Sequence, residues 1–163
     1  MKTVSLAAAL ALALIALPAS AEQKHAHHAP AAATATDAAL KEPIAVVERF
    51  SAALKAGDFD TVRTLLDEKV VILESGGAER SREEYLGHHA ISDAAFLGGA
   101  TVSDVKRGGA VRGDLAWVAS ESRIQSGQGG EAKTLLSTET MVLERGADGW
   151  RIVHIHWSSR PKR

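Results

Sequence analysis

From residue 100 to residue 160 the chain reads as four long strand-like stretches, ATVSDVKRGG, DLAWVASESRIQSG, AKTLLSTETMVLERG and WRIVHIHWSSR. Gly-rich segments punctuate them: Gly108-Gly109, Gly127 to Gly130, and Ala147-Asp148-Gly149. Successive side chains on a strand point to opposite faces, so such runs bury one face and leave the other to water or to a partner. Strands joined by short turns pair antiparallel. This half of the chain is therefore committed to an antiparallel sheet, and the remainder has to cover it.

The covering elements come first. Pro43 suits the first turn of a helix, and Val46, Val47, Phe50, Ala53 and Leu54 recur at helical spacing before Gly57 closes it. Asp58 is placed to cap a second helix carrying Phe59, Val62, Leu65 and Leu66. KVVILES (69–75) reads as a strand and SGGAE (75–79) as a turn. Ser81-Arg82-Glu83-Glu84 has the form of a capping box and opens a third helix running to about Ala95. Helices followed by strands make an α+β domain over residues 42–160.

Ahead of that domain, Lys2, the apolar run LAAALALALIAL and Ala19-Ser20-Ala21 form the three parts of an export leader over residues 1–21. The chain is expected to be exported, to the periplasm or beyond, with no membrane attachment after cleavage. There is no Cys, so neither disulfides nor a lipid-bearing cysteine contribute. Residues 22–41, rich in Ala, Thr and His, read as a flexible tether. Without Lys2 the chain has 18 basic against 20 acidic residues, which is not the footprint of a nucleic-acid binder.

The closing stretch carries a resemblance. Asp148, Gly149, Trp150, Val153, His154, His156 and Ser158, with Thr140-Met141-Val142 before the turn, resemble the SnoaL-like branch of the nuclear transport factor 2 superfamily, especially its small secreted members. The same strand is similar to that of the calcium/calmodulin-dependent kinase association domain. The resemblance implies a cone: a curved antiparallel sheet wrapped around three N-terminal helices, with a pocket at the open end and homodimer formation through the outer sheet face. It does not imply one chemistry, because this fold hosts many. Met141 stands where the kinase domain has an arginine, so a regulatory hub role does not carry over.

Candidate site residues follow from spacing. Tyr85, His89 and Asp93 recur every four residues and would share one helix face, with His88 offset beside Glu84. Asp93 would orient His89 as a general base, and Tyr85 would donate to a developing oxyanion. On the strands, Leu115, Trp117, Ala119 and Glu121 share a face, as do Ser137, Glu139, Met141 and Leu143. Trp117, Glu121, Glu139, His88 and Phe96 are therefore expected to line the pocket.

In the last strand, strict alternation groups Ile152, His154, His156 and Ser158 against Val153, Ile155 and Trp157. His154 and His156 then belong to a dimer interface, to the pocket, or to a metal site completed by Glu139 or Glu121. No cofactor is expected. The one other candidate for metal, a weak one, is His25, His27 and His28 in the tether. Two functions remain open: binding of a small apolar molecule or a protein partner without turnover, or lyase- or isomerase-type proton transfer on a small carbonyl compound by His89, Asp93 and Tyr85. A cavity joining Tyr85 and His89 to Glu121 or Glu139 would favour the second. One filled by Phe50, Phe96 and Trp157 would exclude it.

Overall fold

The structure, a computed structural model, describes residues 35–127 and 132–163. The leader, most of the tether and its three histidines lie outside the described residues.

The first helix, α1 (Ala35–Ala56), begins within the stretch read as a tether and carries Pro43 in its interior. Proline removes the N–H that would bond the carbonyl of Ala39. Ala38 and Ala39 are exposed, which leaves the freed carbonyl on the solvent side, while Leu40 is buried near Gly109 of the sheet and gives this extra turn its anchor. Gly57, at φ 70°, ends the helix. Its N–H bonds the carbonyl of Leu54 and that of Asp58 bonds Ala53, the paired closure that a left-handed residue permits. Asp58 then caps α2 (Phe59–Leu65), accepting from the N–H of Thr61 at 3.1 Å.

Strand β1 (Leu66–Glu74) turns at Ser75-Gly76 into a short β2 (Gly77–Glu79). The Ser81 cap holds: its Oγ accepts from the N–H of Glu84 at 3.1 Å, and the Glu84 carboxylate reaches back to the N–H of Arg80 at 2.7 Å. The single third helix expected here is instead two, α3 (Arg82–Gly87) and α4 (His89–Gly98). The break falls at His88, at φ −137° and ψ −85°. Gly87, a poor helix former, immediately precedes it.

The remaining strands are β3 (Thr101–Arg112), β4 (Leu115–Ser126), β5 (Lys133–Gly146) and β6 (Gly149–Pro161). The six-stranded sheet runs β2-β1-β6-β5-β4-β3. Every pairing is antiparallel except β1 with β6, which is parallel. That pair brings the strand following α2 alongside the last strand, and a helix-containing crossover is what parallel neighbours require. The sheet is curved and unclosed, with the helices packed in its concavity.

Two bulges set which residues face inward. In β3, Asp104 and Val105 together oppose Ser122, and Asp104 takes φ 54°. In β6, Val153 has no partner between Leu143↔Ile152 and Val142↔His154. An extra residue advances the alternation by one, so Trp150 and Ile152 face the core before the bulge and Ile155 and Trp157 after it. Strict alternation fails at this point: Ile152 does not share the face of His154 and His156. The core joins Val47, Phe50 and Leu54 of α1 to Val70 and Ile72 of β1, Val118 of β4, Met141 and Leu143 of β5, and Ile152 and Ile155 of β6. Burying each such side chain stabilises the fold by roughly 1.5–3 kcal/mol before chain entropy is charged against it.

Candidate functional site

The inward residues near the ends of the strands do not meet across the concavity. They leave a cavity of about 310 Å³. Phe50 and Leu54 of α1 form its floor, Phe96 and Leu97 of α4 one side, and Val102, Val105, Ile124 and Leu135 the sheet wall. Trp157 stacks on Phe50, with ring centroids 6.3 Å apart and planes 25° from parallel. The three aromatic residues therefore line the hollow without filling it.

Polar groups enter this apolar space at a few points. On the sheet wall the Glu139 carboxylate accepts from Ser120 Oγ at 3.0 Å and from Trp157 Nε1 at 2.8 Å, so both oxygens are held. Arg107 lines the cavity with its Nη1 3.4 Å from Glu48, while its Nε is buried with no acceptor among the described residues. Lys55 lies at the edge, donating to the carbonyl of Ala100 at 2.9 Å. Glu74, the last inward residue of β1, and Asp93 of α4 complete the rim.

Asp93 is the chemically distinctive member. Its Oδ2 accepts from the hydroxyl of Tyr85 at 2.9 Å, and Tyr85 is fully buried. Desolvation pushes the Asp93 carboxyl above the ordinary carboxylate range, while the tyrosine bond and the nearby His89 pull it partly back. Glu74 is raised too, first by desolvation and then by the negative charge of Asp93. Burial and the same two carboxylates hold the Tyr85 phenol far above its usual value, so it remains a donor. Two carboxyls whose protons are held more tightly than usual thus share one rim of an apolar hollow.

The expected trio is rearranged. Tyr85 and Asp93 meet as spacing suggested, although across a helix break rather than along one helix. His89 does not pair with Asp93. Its Nδ1 contacts the buried carboxylate of Glu79 on β2, and the residue does not line the cavity. Tyr85 spends its hydroxyl on Asp93 and so does not stand as an oxyanion donor. His88 is exposed beside His89, outside the cavity.

Of the residues expected to line the pocket, Glu139 and Phe96 do. Trp117 and Glu121 do not: Ala116, Val118 and Ser120 supply the inward face of β4, leaving Trp117 46% exposed on the outer face. Period-two alternation offers two faces without saying which is inward, and here the choice went to the smaller side chains. His154 is half-buried and His156 exposed. Neither lines the cavity, and Glu139 lies on the opposite face from them, so it cannot complete a metal set with the pair. The spacing of residues did not reveal Arg107 or the serines of the wall. Glu74, at the end of the first strand, could be read either as a rim carboxylate or as an exposed strand end, and it lines the cavity. Arg107 is legible only once the β3 bulge is known.

The sequence pattern of the SnoaL-like domain matches residues 44–161. Among solved structures, the chain is similar to a candidate ketosteroid isomerase from Shewanella frigidimarina. The identity is 41% and the TM-score 0.65, covering 69% of this chain and 91% of that one. A candidate dehydratase of the NTF2-like family from Streptomyces avermitilis is 22% identical, with a TM-score of 0.56 over 77% of this chain and 98% of that one. A candidate calcium/calmodulin-dependent kinase II association domain from Xanthomonas campestris is 23% identical, with a TM-score of 0.59 over 76% and 89%. These last two likenesses establish the fold alone. No curated protein matches. The helices held in the concavity of a curved, unclosed sheet, the hollow between them and the match over residues 44–161 place this chain in the SnoaL-like family of the NTF2-like superfamily.

Proposed function

We propose that the chain is an exported domain that binds a compact, mostly apolar molecule carrying an oxygen acceptor. The observation that carries this reading is the cavity itself: about 310 Å³ of space walled by aromatic and aliphatic side chains, with a small number of convergent polar groups. The buried Nε–H of Arg107 supports an oxygen acceptor on the ligand, since a donor without a partner costs about 1–3 kcal/mol. The leader-like first 21 residues support export. The outer sheet face, with Leu115 and Trp117 exposed, supports pairing with a second copy.

The test is a thermal-shift screen of small cyclic ketones and apolar carboxylic acids, followed by calorimetry. A ligand that binds only the folded chain raises its melting temperature. V102W, which fills the cavity, should abolish the shift, and a shift that survives V102W would refute the site.

A second reading, proton transfer on a carbonyl compound, is favoured by one observation: the raised Asp93 carboxyl bonded to Tyr85 at the rim of the hollow. Asp93 as carboxylate would take a proton from the carbon next to the carbonyl and return it to the same or a neighbouring carbon. The likeness to a candidate ketosteroid isomerase supports it. Deuterium exchange of a bound ketone, followed by NMR, should be lost in D93N and retained in H89A. Equal exchange by wild type and D93N would leave binding as the function.

A further inference from the structure

A second cluster lies outside the cavity. Glu79 of β2 has a side chain only 7% exposed, and its ion-pair partner is His89. Among the described residues no lysine or arginine reaches it. A buried carboxylate is costly unless opposite charge compensates it, and a neutral imidazole does so only in part. His88 stands beside His89, their rings 4.7 Å apart and near perpendicular.

Consecutive residues on an unbroken helix diverge by about 100° around the axis. The break at His88 is what turns the two imidazoles toward one carboxylate. One donor atom from each of the three residues lies within 4.8 Å of the others. Ligands of one zinc-sized ion sit at about 2.0–2.2 Å from it. Small side-chain rotations therefore suffice to close the set, and exposed His88 is free to make them. Two imidazoles and one carboxylate suit zinc, cobalt, nickel or copper, whereas calcium and magnesium require more oxygens.

We propose that Glu79, His88 and His89 form a binding site for one divalent transition-metal ion, with solvent completing its coordination. His89 is 46% exposed at its side chain, which leaves the solvent side of the site open. The buried carboxylate supplies the fixed ligand and the helix junction supplies the other two.

The experiment titrates Zn²⁺ into the full chain carrying H25A, H27A and H28A, which removes the histidines of the N-terminal stretch as competing ligands. Calorimetry should give one equivalent bound, and Co²⁺ should develop visible d–d bands of low-symmetry coordination. Loss of even an outer-shell partner weakens metal sites by roughly 10–100-fold, so H88A should weaken binding at least about 10-fold. H88A removes an exposed side chain and leaves the fold intact, so its result is independent of any folding defect in E79Q. H154A/H156A should bind as tightly as the parent. Absence of saturable binding, binding undiminished in both H88A and H89A, or loss in H154A/H156A would each overturn the site.

Discussion

Replacing Tyr85 by Phe isolates one hydrogen bond. The ring is fully buried, tilted against Trp157 with centroids 6.2 Å apart, and phenylalanine keeps that packing. What goes is the hydroxyl that donates to Asp93 at 2.9 Å. A hydrogen bond to a charged acceptor contributes about 1.5–3 kcal/mol. Asp93 is only half-buried, so water can take the donor's place, and the expected loss falls to about 1–2 kcal/mol. For a domain of this size that lowers the melting temperature by roughly 3–10 °C.

The loss should depend on pH, with a sign fixed by linkage. The Tyr85 bond lowers the Asp93 carboxyl relative to where burial alone would hold it. Its stabilisation is therefore present while Asp93 is ionised and fades as pH falls through the folded-state pKa. Protonated Asp93 accepts only a neutral bond, so the gap between wild type and Y85F should narrow in mild acid. Urea unfolding of both proteins from neutral to acidic pH measures it. Equal stability at neutral pH, or a gap that stays constant on acidification, would refute the reasoning.

Other outcomes follow from the same geometry. Asp93 and Glu74 are both raised by desolvation, so their charges oppose folding at neutral pH, and the stability they withhold returns as pH falls through their raised values. The double variant D93N/E74Q should be at least as stable as wild type at neutral pH and lose that part of the pH dependence, read from urea midpoints. S120A removes a buried donor to Glu139 and should cost about 1–2 kcal/mol by the same assay. G109A should be the most damaging small change. A Cβ there would collide with the backbone carbonyl of Trp117 and stand 3.1 Å from Leu40 Cδ1, so either strand spacing or α1 must shift, at about 2–3 kcal/mol in a thermal melt.

The helix caps were legible because they are local chemistry: Asp58 and Ser81 bond the N–H groups that their positions in sequence predict. The long strands were legible from their alternation and from the turn at Ala147-Asp148-Gly149. Gly108-Gly109, however, is not a turn: both pair with β4 inside β3, where Gly109 lets the strand pass close to Trp117 and Leu40, and the turn falls at Gly113-Asp114. The break at His88 was not, since Tyr85, His89 and Asp93 keep perfect helical spacing through it, and only Gly87 hinted otherwise. The start of α1 escaped because Pro43 is a good first residue and the turns before it have one buried anchor, Leu40. At the site, spacing found Tyr85, Asp93, Glu139 and Phe96. It misplaced Trp117 and Glu121, because which side of a sheet the helices cover is decided by tertiary packing. It missed Arg107 because a bulge resets the alternation in β3, and no residue type announces a bulge.

The unpaired Val153 works as a gear change within a single strand. Upstream of it the strand meshes with the helices through Trp150 and Ile152, downstream through Ile155 and Trp157. Deleting that one residue would keep Ile152 opposite Leu143 and His154 opposite Val142 with plain alternation restored, so Ile155 and Trp157 would still face the hollow and only the kink and added twist of the bulge would go. For this scaffold, the strand can change length by one at that point without changing which side chains wall the hollow.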